Sequence, residues 1–71
     1  MNMKTREALK AIEKKFGVTS KDYTIIDDLK NYCYDDRYYK IILDFGDGEV
    51  MEFTIKHRKD GWRVVGESCI D

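Results

Sequence analysis

The sequence predicts an α+β domain in which one N-terminal helix packs on a four-stranded antiparallel β-meander. Three observations carry this expectation. Residues 3–16 repeat apolar side chains at helical spacing. Residues 37–58 hold two alternating runs around Gly46-Asp47-Gly48. Asp60-Gly61 then marks a second turn before a last run rich in Val. The 71 residues suffice for a single domain, 1–71, whose core is small and whose stability is correspondingly modest.

The helix is expected over residues 3–16, with Leu9, Ile12 and Phe16 on one stripe beside Thr5 and Ala8. Asn2 is placed to cap its start, and Gly17 followed by Val18 to end it in a left-handed turn. Lys14 and Lys15 suit the negative end of the helix dipole.

Residues 19–36 allow two readings. As a helix, Thr19 and Asp22 form a capping box and Ile25, Ile26, Leu29, Tyr32 and Cys33 a stripe, giving two helices on a three-stranded antiparallel sheet. As a strand over residues 22–34, the β-branched and aromatic content fits, and a bulge near Asp27-Asp28 resets the inward face from Ile26 to Leu29. The strand is preferred, because the central hairpin would otherwise keep a bare edge and consecutive strands tend to pair.

In the central hairpin, Tyr39, Ile41, Leu43 and Phe45 share one face of the first run, and Met51, Phe53 and Ile55 one face of the second. A three-residue loop at 46–48 pairs Leu43 with Met51, Ile41 with Phe53 and Tyr39 with Ile55. A two-residue loop at Asp60-Gly61 then pairs His57 with Val64 and Ile55 with Gly66. That turns Trp62 and Val64 inward, Arg63 and Val65 outward, and leaves Gly66 under the helix. The expected core unites Ile12, Phe16, Leu43, Phe53, Ile55 and Trp62.

Charge is uneven although the net is only −1. Residues 1–21 carry a net +4, residues 22–52 a net −6 and residues 53–71 a net +1. No apolar leader precedes the helix, and no apolar run approaches a membrane span, so a cytoplasmic protein without membrane contact is expected. Cys33 and Cys69 lack metal-ligand or redox spacing and are expected to stay reduced.

Catalysis is not expected. His57 is the only histidine and has no visible orienting partner. The adjacent acids Asp27-Asp28 and Asp35-Asp36 point to opposite faces of extended chain, so neither pair makes a metal site. No cofactor motif is present: the glycines sit in turns rather than before a helix.

The expected site is a protein-binding surface. Tyr32, Tyr34, Asp35, Asp36, Arg37 and Tyr38 concentrate residue types that anchor interfaces. Tyr38, Ile42, Val50 and Val65 are assigned to one apolar strip on the outer sheet face, edged by Lys40, Asp44, Glu52 and Arg63. This reading makes the chain a small non-catalytic binding module or homodimer. One version is an inhibitor or regulator that docks its acidic, Tyr-rich sheet surface on a larger protein, such as a nucleic-acid-processing enzyme. The alternative is a nucleic-acid-binding accessory protein using the basic helix, through Lys4, Arg6, Lys10, Lys14 and Lys15.

Overall fold

A computed structural model describes residues 2–32 and 35–70. Helix α1 (Met3–Phe16) is followed by strands β1 (Thr24–Asn31), β2 (Tyr38–Asp44), β3 (Val50–Arg58) and β4 (Gly61–Cys69). The strands form one antiparallel sheet in the order β1-β2-β3-β4, with α1 laid over one face against β4 and β1. This is the α+β architecture that the apolar periodicity predicts.

The helix termini follow from local chemistry. The Asn2 side chain accepts from the Thr5 N–H at 2.8 Å. At the other end Gly17 adopts φ 70°, and the N–H groups of Gly17 and Val18 both donate to the Glu13 carbonyl, at 2.8 and 3.2 Å. The stripe that α1 buries is Thr5, Ala8, Leu9 and Ile12. Phe16 does not join it: 38% exposed, it rests at the rim with its ring centroid 5.4 Å from that of Phe53. Its ring borders an open hollow with Phe45, Met51 and Phe53, so part of it stays in contact with solvent.

Thr19 and Asp22 do bond each other, the Thr19 N–H donating to Asp22 Oδ2 at 2.7 Å. The box closes a single turn, after which the chain extends into β1. Pairing of β1 with β2 shifts register twice, between Ile25 and Asp27 and between Asp27 and Lys30. These irregularities bring Ile25 and Leu29 into packing against the core while Ile26 stays exposed.

The β2–β3 register is the expected one: Leu43 faces Met51, Ile41 faces Phe53 and Tyr39 faces Ile55. Gly46, Asp47 and Gly48 all have positive φ, at 91°, 55° and 78°, and Phe45 N–H closes the loop on the Glu49 carbonyl at 2.8 Å. The β3–β4 turn corrects the expectation. The loop is Lys59-Asp60, with Arg58 opposite Gly61, His57 opposite Trp62 and Ile55 opposite Val64. The register then shifts at Val65, so that Gly66 faces Thr54 on the outer side, and a Cβ on Gly66 would lie 3.6 Å from that of Thr54. The reason is packing: Val64 fills the space beside Ile55 that the expected register would leave to a glycine.

The core comprises Ala8, Leu9, Ile12, Ile41, Leu43, Phe53, Ile55 and Val64, with Trp62 packed against it half-buried. Thr5 is the one buried polar residue among those described, and its hydroxyl donates to Asp28 Oδ1 at 2.9 Å. Among the described residues no helix is long and apolar enough to cross a membrane.

Candidate functional site on the outer sheet face

Because α1 occupies one face of the sheet, the other face is left without a covering element among the described residues. Strand register fixes what that face displays. Nearest the 46–48 loop, Asp44 lies opposite Val50, and Ile70 donates its N–H to the Val50 carbonyl at 3.0 Å. The next row runs Asp27, Ile42, Glu52, Ser68, and the one after it Lys30, Lys40, Thr54, Gly66. The last row places Tyr38 beside Lys56 and Lys56 beside Arg63. Acids thus occupy the half near the loop and cations the half near the Lys59-Asp60 turn.

Ion pairs stitch the boundary between the halves. Lys40 Nζ lies 3.3 Å from Glu52 Oε1, and Lys30 Nζ 3.1 Å from Asp27 Oδ1. The second pair is well exposed and adds little to stability. The residues Asp27, Lys30, Asn31, Tyr32, Lys40, Ile41, Ile42 and Glu52 line a shallow hollow of about 190 Å³ in this face.

Tyr32 and Tyr38 meet edge to face, with ring centroids 6.2 Å apart. Each faces an ammonium: Lys40 Nζ is 4.7 Å from the Tyr32 ring and Lys56 Nζ 5.3 Å from that of Tyr38. The turn into β2 holds them. Tyr38 N–H donates to the Asp35 carbonyl at 3.3 Å, and Tyr32 N–H to the Tyr38 carbonyl at 3.1 Å. Arg37 grips Asp35 with Nε–Oδ1 of 3.0 Å and Nη2–Oδ2 of 2.8 Å. That bidentate hydrogen bond lowers the Asp35 pKa to about 2. Asp36 is exposed.

No known protein family, curated protein or solved structure matches this chain.

Several expected site residues do come together: Tyr32, Asp35, Arg37 and Tyr38 form one corner of the face, and Ile42 borders the same hollow as Tyr32. Tyr34 lies outside the described residues, as does Cys33. The four apolar residues do not make one strip. Ile42 sits between Asp27 and Glu52, and Val50 beside Asp44. Val65 is 47% exposed at the register shift, and the apolar neighbour of Val50 is Ile70, also 47% exposed. Ile70 escaped the sequence reading because its position depends on the shift at Val65, and no residue pattern announces that shift.

The basic helix residues are spread rather than gathered. Lys4 lies over Tyr39, with Nζ 5.8 Å from the ring centroid. Arg6 and Lys10 border a hollow with Glu13 and Tyr23, and Lys14 and Lys15 border β4. His57 stacks on Trp62 with centroids 4.0 Å apart. Among the described residues no cluster of three or more His, Cys, Asp or Glu is arranged to hold a metal ion.

Proposed function

We propose that the protein is a small, non-catalytic, cytoplasmic binding module that docks the outer face of its sheet on another protein. The observation that supports this reading is the uncovered face itself. It presents half-buried Tyr32, Tyr38, Ile42 and Val50 within a frame of charges sorted by sign. Aromatic anchors beside a polar rim are the anatomy of an interface core, and sorted charge steers and orients a partner. The acidic half would meet a basic surface, as the inhibitor or regulator version requires. The test compares immobilised wild type with Tyr38→Ala/Ile42→Lys and with the helix variant Lys10→Glu. The outer-face variant should keep its circular dichroism and lose the captured partner, while the helix variant keeps both. Loss of capture by Lys10→Glu alone would favour the accessory role through the basic helix.

A second reading, self-association, is favoured by the row order. Two copies stacked face to face about a two-fold axis running across the strands would set Asp44, Asp27 and Glu52 against Lys40, Lys56 and Arg63. Such a self-complementary patch is what a two-fold dimer needs. Sedimentation should then show a dimer that weakens as salt screens the charges.

A further inference from the structure

An open sheet has two edge strands, here β1 and β4. The β1 edge is guarded by two register shifts and by the Asp27–Lys30 pair, devices that discourage strand addition. The β4 edge differs. From Gly61 to Val64 it keeps unbroken register with β3. His57 N–H donates to the Arg37 carbonyl at 2.7 Å, so His57 and, by alternation, Ile55 turn their main-chain groups toward β2. Their partners Trp62 and Val64 therefore turn N–H and C=O away from β3, toward the open side. Lys15 Nζ stands on that side and donates to the Val64 carbonyl at 3.4 Å, a long bond that is easily exchanged.

Beside this edge runs a groove of about 480 Å³ lined by Ala11, Lys14, Lys15, Trp62, Arg63 and Val64. Its floor is apolar, three of its six lining residues are cations and none is an acid. The Trp62 indole is held in place by Glu7, whose Oε1 accepts from Nε1 at 3.1 Å.

We propose that this edge and groove bind an extended acidic peptide of a partner protein, which adds to β4 as a short fifth strand. The site shares Arg63 with the edge of the outer face and is otherwise distinct from it. Main-chain bonds to Trp62 and Val64 would hold the peptide, and alternate side chains would divide between the groove floor and the cations. One apolar side chain per two residues fits against Ala11 and Trp62. Carboxylates on the intervening positions meet Lys14, Lys15 and Arg63.

The probe is a short end-capped peptide of alternating glutamate and valine, titrated into the isotope-labelled protein. Amide shifts should centre on Trp62 and Val64, with a change in emission from the chain's single tryptophan. Lys14→Gln/Lys15→Gln should leave the circular dichroism unchanged and weaken binding about tenfold, as the loss of two exposed ion pairs implies. The same peptide N-methylated on alternate residues keeps its charge and loses its ladder, and should not bind. Equal binding of the N-methylated peptide, or shifts centred on Lys40 and Lys56, would overturn the proposal. So would a stronger response of the same amides to oligothymidylate, or protection of the Trp62 and Val64 amides by self-association without peptide.

Discussion

Asp35 illustrates how much one side chain organises at the residue scale. Its carboxylate takes both prongs of Arg37, and its carbonyl receives the N–H of Tyr38, so the turn that positions the tyrosines hangs on it. Its pKa is lowered, which means the folded state favours the charged form. The stabilisation is present above the usual carboxylate value of 3.8 and is lost as pH falls through about 2. A carboxyl-carbon titration should give a midpoint near that value, and Arg37→Gln should raise it, while the backbone N–H of residue 37, which donates to Asp35 Oδ1 at 3.0 Å, still holds it below the ordinary range. Tyr23 works in the opposite direction. Burial first, then the Glu13 carboxylate that accepts its hydroxyl proton at 2.5 Å, push its pKa upward. Its contribution is full below the ordinary tyrosine value of 10.0 and declines as pH rises beyond it, so one tyrosine should ionise well above that value in an alkaline absorbance titration, and Tyr23→Phe should remove it. Thr5 is tested more simply. Thr5→Val keeps the shape and deletes the bond to Asp28, and should cost about 1 kcal/mol in urea denaturation.

At the scale of the element, legibility followed the locality of the cause. The helix carries its own stop and start signals, and the central hairpin carries a glycine loop and two matching apolar faces, so both could be read with their boundaries and register. In strand β1 the expected bulge near Asp27-Asp28 is present as two register shifts, but the expected inward residue Ile26 is exposed and Ile25 takes its place beside Leu29. The β3–β4 turn was misplaced by one residue. There the choice lies between alternatives with the same inward faces at Trp62 and Val64, and it is decided by cross-strand packing of Ile55 on Val64. The candidate site inherits that error: the place beside Lys56 expected for Val65 belongs to Arg63, and Ile70 is the apolar neighbour of Val50. Phe53 offers the sharpest check of the inward face. It is 2% exposed and touches the rings of Phe16 and Phe45, so Phe53→Ala should cost about 3–5 kcal/mol, enough to unfold a domain this small. Gly48 has φ 78°, and Gly48→Val should destabilise the hairpin by about 1–2 kcal/mol in thermal or chemical melts.

At the scale of the whole molecule, a helix placed on one side of the sheet makes two faces with different duties. One closes the core; the other displays charge and tyrosine. The uneven charge noted along the chain becomes spatial only through the register, because Asp27, Asp44 and Glu52 come from three strands and so do Lys40, Lys56 and Arg63. No linear reading could have sorted them into halves. Unfolding should be two-state, with α1 and the sheet melting together, because Ala8, Leu9 and Ile12 belong to the same cluster as Ile41 and Ile55. Separate helix and sheet transitions by circular dichroism and tryptophan emission would contradict this.

The packing of α1 against β4 also has a consequence for synthesis. Helix α1 is synthesised before β4, the strand it packs against most closely. At elongation rates of about 5–20 residues per second, the stripe of Ala8, Leu9 and Ile12 waits seconds before β4 arrives to cover it. During that wait a lone helix of 14 residues is barely stable, and its many lysines and arginines keep it soluble rather than sticky. The basic character of the helix thus acts as a safeguard during synthesis, and a nascent chain arrested before Gly61 should show an α1 segment that is unfolded, protease-sensitive and still soluble.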